Sequence, residues 1–193
     1  MSRTKSYSEN TVLENAMHVF WENGYEATSV RLLEKEMGIN QFSIYASFKN
    51  KKTLFIRSLK QYKEYVKIHV FKNLLQENAG LTDLEFFLYQ AAESDITHKK
   101  KIGCFVVNTT AELGNSDEEI TQELQQYYQF IFNMLKNVLT NAIRKKEIPS
   151  STNIEQQSNF FIGVMQSVSV ASKTMNKQQL SDFIKIAINQ VKQ

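Results

Sequence analysis

The sequence predicts an all-α fold of about nine helices, with a small N-terminal head on a larger helical body. Three observations carry that reading. Across 193 residues there is a single proline, Pro149, and only six glycines, too few turn formers for a sheet of many short strands. Leu, Lys, Glu, Gln and Ala, all good helix formers, are plentiful. Apolar residues return at three- and four-residue steps over most of the chain, the spacing of one buried helix face. Hydrophobic residues at 42% and charged residues at 22% are ordinary for a globular protein large enough to bury a core.

Taken in order, Ser8 is a good N-cap for a first helix whose Val12, Leu13, Ala16, Val19 and Phe20 share a face, and Gly24 ends it. Thr28 or Ser29 caps a short second helix bearing Val30, Leu33 and Met37, closed by Gly38. "INQ" then leads into a third, with Ile44 and Phe48 turned inward. Two short helices around a glycine turn make a helix-turn-helix, whose second helix enters the DNA major groove N-terminus first. Gln41, Phe42 and Ser43 occupy that end. Phe42 lies off the Ile44/Phe48 face, so it either meets a thymine methyl or folds back on the first helix.

Asn50 caps a fourth helix beside Lys49, Lys51 and Lys52. Cations are unfavourable at a helix N-terminus, so Lys51 and Lys52 with the free N–H groups predict an anion site, and DNA phosphate is the anion that suits a reading helix next door. The charge distribution agrees. Residues 1–60 hold nine Lys/Arg against six Asp/Glu, whereas residues 61–193 hold fourteen of each. Further helices are predicted at 51–78, 82–97, 103–114, 117–146, 153–175 and 177–191, broken by Gly80, "THKKK", "GNSD", "IPSST" and "MNK". This divides the chain into a DNA-binding domain, 1–50, and a body, 51–193, joined through the fourth helix.

The stretch "GYEATSVRLLEKEMGINQFSIYASFKNKKTLF" resembles the DNA-binding signature of the tetracycline-repressor (TetR) family in Gly24-Tyr25, Thr28-Ser29-Val30, Gly38-Ile39, Ile44-Tyr45, Phe48 and Asn50-Lys51. By that resemblance Arg31, Gln41, Phe42 and Ser43 face bases, while Thr28, Tyr45, Ser47, Lys49 and Lys51 hold phosphates. The sequence departs from the family pattern at Ser47, where histidine or tyrosine is usual, and at Glu34 and Met37, which replace frequent alanines. Glu34 reads as a solvent-facing helix residue.

The resemblance also implies a homodimer on a palindromic operator and an effector pocket in the body, placed here among Phe71, Phe87, Cys104, Phe105, Asn108, Tyr128, Phe132 and Met165. A buried tyrosine must pair its hydroxyl, so tyrosines beside an asparagine suit a polar corner in an apolar cavity. The last two helices carry more apolar surface than one body needs, and Gly163, Ser167 and other small residues permit close approach. The resemblance implies that Phe160, Gly163, Val164, Ser167, Val168, Phe183, Ile184 and Ala187 pair with the same helices of a second chain; an intrachain bundle is the alternative.

An enzyme is the rival class. His18, His69 and His98 are scattered, and there is no HExxH, CxxC or glycine-rich phosphate loop, so neither catalysis nor a metal or other cofactor is expected. No apolar run suits a membrane span or a signal peptide, and the lone Cys104 agrees with a reducing cytoplasm. Two variants of the main reading stand: a co-regulator that binds a protein partner, and an electrophile or redox sensor using Cys104, whose thiolate Lys99, Lys100, Lys101 and a helix N-terminus would favour.

Overall fold

The computed structural model describes residues 8–93 and 102–193. Those residues form nine α-helices: α1 (Glu9–Asn23), α2 (Val30–Met37), α3 (Gln41–Phe48), α4 (Lys51–His69), α5 (Leu81–Glu93), α6 (Phe105–Leu113), α7 (Glu118–Arg144), α8 (Ile154–Ala171) and α9 (Lys177–Val191). His98 and the three lysines at 99–101 lie outside the described residues.

Side-chain caps set most starts. Ser8, Ser29, Asn40, Asn50, Asp117, Asn153 and Asn176 each accept a backbone N–H in the first turn of the helix they precede, which satisfies a donor with no intrahelical partner. Gly24 ends α1 at φ 79°, and a Cβ there would come within 2.7 Å of the Glu112 carboxylate, so both conformation and space require glycine.

Two boundaries differ from the sequence reading. The fourth helix stops at His69 and not near residue 78. The Phe71 N–H bonds to the Val66 carbonyl at 2.7 Å, the chain turns, and Phe71 and Leu74 become buried. Asn141 then donates to the carbonyls of Glu77 and Ala79, both at 2.9 Å, holding the turn with side-chain bonds in place of a glycine or proline. Similarly α8 ends at Ala171, where Met175 N–H bonds back to the Ala171 carbonyl at 2.7 Å.

The head is α1 to α3 with the first turns of α4. Leu33, Met37, Ile44 and Phe48 meet Ala16, Met17, Phe20, Leu54 and Phe55 in one buried core. Only two residues join α3 to α4. Lys49 takes φ 67°, ψ −56°, and Asn50 N–H bonds to the Phe48 carbonyl at 2.8 Å, a γ-turn that non-glycine residues rarely adopt. The body packs α7 against α4 and α8, and α9 against α5. No described helix is long and apolar enough to cross a membrane.

Candidate nucleic-acid interface and the cavity behind it

The N-terminal ends of α2 and α3 form an outward face. Arg31, in the first turn of α2, and Gln41 are exposed. Phe42 is 83% exposed, so it does not fold back on α1. Ser43 is half-buried, its N–H held by Asn40 Oδ1 at 2.9 Å. Glu34 is no idle surface residue. Its Oε1 accepts the Gln41 N–H at 2.5 Å, so the carboxylate fixes the start of α3 and sits at the positive end of that helix.

Around this face Tyr45 and Ser47 are half-buried and Lys49 is exposed. Lys51 rests its ammonium 4.4 Å over the Tyr25 ring, a cation–π contact that aims it along the head. Two expectations are corrected. Thr28 is fully buried and its hydroxyl donates to the Gly24 carbonyl at 2.5 Å, so its side chain braces the α1–α2 turn and does not reach a phosphate. Lys52 does not join Lys51 in an anion site. It pairs with Asp117 at 2.7 Å and Glu119 at 3.3 Å on α7, which holds the Asp117 carboxyl below its usual range and the Lys52 amine above its own.

Behind the head lies a cavity of about 120 Å³ between α1, α4, α5, α6, α7 and α8. Of the residues expected there, Phe71, Phe87, Cys104, Tyr128 and Met165 line it. The other three do not. Phe105 is buried edge-on between Phe55 and Tyr62, each 5.6 Å away. Asn108 commits its amide to the Ile102 carbonyl (2.8 Å) and to Lys173 Nζ (2.7 Å). Phe132 sits one residue past the lining Ile131, turned off that face of α7.

Trp21 and Tyr62 also line the cavity, and no expectation placed them there. Their spacing reads as ordinary core, so only the fold reveals the void beside them. Burial, and then the adjacent Cys104 thiol, push the Tyr62 and Tyr127 hydroxyls well above their ordinary acidity range, so both stay protonated.

Three polar contacts among the described residues help to tie head to body. Trp21 Nε1 donates to the Gly103 carbonyl at 2.8 Å, and Gly103 is itself cavity wall. Glu112 at the end of α6 accepts the N–H groups of Tyr25 and Glu26 at 2.9 and 2.8 Å. Lys52 makes the third, through α7.

The exposed apolar residues of α8 and α9 are Phe160, Val170, Phe183 and Ile186, with Gly163 and Ser167 alongside Phe160. Of the residues expected at a dimer contact, Val164, Val168, Ile184 and Ala187 are instead buried in this chain's own core, because they lie on the neighbouring, inward-turned sides of the two helices. Among the described residues no three His, Cys, Asp or Glu side chains gather as metal ligands.

Comparison with known proteins gives one answer. Residues 12–57 match the family described as bacterial regulatory proteins, tetR family, and residues 80–188 match the tetracyclin repressor-like C-terminal domain. The HTH-type transcriptional repressor ComR of Escherichia coli is 25% identical over 172 residues, covering 89% of this chain and 82% of the relative. The fatty acid metabolism regulator protein of Bacillus subtilis is 24% identical over 173 residues, covering 87% and 84%. The fold is shared with a cysteine-substituted form of the TetR-family regulator CifR complexed with 26-base-pair operator DNA, at TM-score 0.82 and 22% identity over 97% of this chain and 98% of that one. With a helix-turn-helix of α2 and α3 at one end and family matches over both parts of the chain, one conclusion remains: the protein belongs to the TetR family and is a DNA-binding transcriptional regulator.

Proposed function

We propose that the protein is a repressor that binds a palindromic operator as a homodimer and lets go when a small molecule fills the cavity behind its head. The observation that carries this is Trp21, a head residue that is both cavity wall and hydrogen-bonded to cavity wall at Gly103. A ligand there needs only to prefer one arrangement of head against body to change DNA affinity, and by reciprocity the operator then changes ligand affinity by the same factor. In this reading Arg31, Gln41, Phe42 and Ser43 face bases, and Tyr45, Ser47, Lys49 and Lys51 hold phosphates. The exposed stripe of Phe160, Val170, Phe183 and Ile186 supports pairing of α8 and α9 with a second copy, which spaces two heads by about one DNA turn, roughly 34–36 Å.

A gel shift with the protein's own upstream DNA tests the proposal. Arg31→Ala should lose roughly 1–3 kcal/mol and relax preference at one position of each half-site, whereas Lys51→Ala should weaken all sequences alike and lower the salt slope by about one. Absence of any shift by the wild type, or loss of the same preference in both variants, overturns it.

A further inference from the structure

Resting on the reading of the cavity as the effector site, we infer that its ligand is an uncharged, mainly apolar molecule built on a single aromatic ring. The wall supplies the argument. Among the described residues it contains no Lys, Arg, His, Asp or Glu. A charged ligand would leave water for a wall with no counter-ion among its described residues, and burying an unpaired ion is among the largest penalties a binding site imposes. One amine passes by: the stem of Lys173 runs beside Gly103, but its ammonium ends on Asn108 Oδ1 and the residue is exposed.

Apart from the Gln166 amide, which lies beside the Tyr128 hydroxyl, the wall's side-chain hydroxyls are largely engaged already. The Tyr127 hydroxyl lies 3.8 Å from Cys104 Sγ, the Tyr128 hydroxyl 3.1 Å from Thr110 Oγ1, and Ser169 Oγ accepts the Cys104 N–H at 2.8 Å. Ser172 Oγ donates to the Ser169 carbonyl at 3.1 Å. An apolar guest therefore strands few donors or acceptors, so it escapes the penalty that an unsatisfied polar site would impose. Size and shape agree. A dry engineered cavity of about 150 Å³ accepts benzene, and this one, at about 120 Å³, presents the rings of Tyr62, Phe71 and Phe87 as flat partners for another ring.

Trp21 is the chain's single tryptophan, so its emission reports directly on this cavity. We would titrate the full chain with benzyl alcohol, benzoate and benzylammonium, which share a ring and differ in charge. Benzyl alcohol should change Trp21 emission saturably, with each ion weaker by roughly a hundredfold or more. Ala91→Leu and Ile162→Phe, which add carbon to the wall, should each abolish the response while helix content is kept. Either ion binding as tightly as the alcohol overturns the inference, as does the lack of a saturable response to the alcohol, or an unchanged response in whichever filled variant folds. Operator release is measured separately on the same samples. Saturable alcohol binding with no release would refute the effector reading and leave the ligand class standing.

Discussion

Replacing Trp21 by Phe tests the tie between head and cavity without touching the reading face. The change keeps an aromatic ring against Tyr62, whose centroid lies 4.9 Å away, and removes the N–H that reaches Gly103 at 2.8 Å. A neutral hydrogen bond contributes about 1 kcal/mol net, and a carbonyl left unpaired in a half-buried place adds about another 1 kcal/mol of loss. Gly103 cannot easily shift to recover it. Its φ is 71°, and a Cβ there would sit 2.9 Å from the Ser169 carbonyl oxygen, so the segment is closely backed by α8. The sum is about 2 kcal/mol, which for a chain of this size lowers the melting temperature by roughly 4–8 °C. Urea denaturation followed by circular dichroism measures it. Operator affinity of the folded variant should change little, because α2 and α3 keep all their contacts. A loss below about 0.5 kcal/mol would refute the claim that this bond fastens the head.

Three more substitutions probe the head, the proposed dimer contact and the α4–α7 ion pair. Thr28→Val keeps the volume but deletes the hydroxyl that donates to Gly24; stability should fall by about 1 kcal/mol while the salt dependence of DNA binding stays as in the wild type, and a flatter salt slope would restore Thr28 as a phosphate contact. Ile186→Glu puts a charge on the most exposed apolar residue of α9, 71% exposed, and should turn a wild-type dimer into monomers in analytical ultracentrifugation with a folded-chain spectrum; an unchanged sedimentation value would refute this face of α9 as the proposed contact. Asp117→Asn keeps an N-cap for α7 but removes the charge facing Lys52. Because Asp117 has a carboxyl depressed below 3.8, its pairing supports the fold above that value and is lost as the pH falls through the lower folded value. The melting-temperature gap between wild type and variant should therefore be open at neutral pH and close in acid, and a constant gap would exclude the ion pair as its cause.

The sequence made the head legible because its signals are local. Caps at Ser8, Ser29, Asn40 and Asn50, glycines at 24 and 38, and the spacing of Ile44 and Phe48 each act within a few residues, and the helices begin and end where those residues say. The body was less readable. The end of α4 at His69 depends on Asn141 and buried Phe71, one of them some 70 positions away, and no turn former marks it. Cavity and core residues look alike in a sequence, since both are apolar at helical spacing. Phe105 and Phe87 differ only in what packs against them. Side-chain direction was the other gap: Thr28 and Lys52 suit DNA by type and position, but one turns into the α1–α2 corner and the other toward α7.

The γ-turn at Lys49 makes a lever of α4. With only Lys49 and Asn50 between α3 and α4, and Asn50 tied to Phe48, there is no slack in which a movement of one helix could be lost before it reaches the other. The 19 residues of α4 make an arm about 28 Å long at roughly 1.5 Å per residue, with the cavity residues Tyr62 and Val66 in its far half. A tilt of about 10° about the cavity end of such an arm sweeps its Lys51 end through roughly 5 Å, which exceeds the rise of about 3.4 Å between successive base pairs of a duplex. On the proposed effector reading, a guest no larger than a benzene ring would need only to tilt α4 for this elbow to carry α3 out of step with a groove.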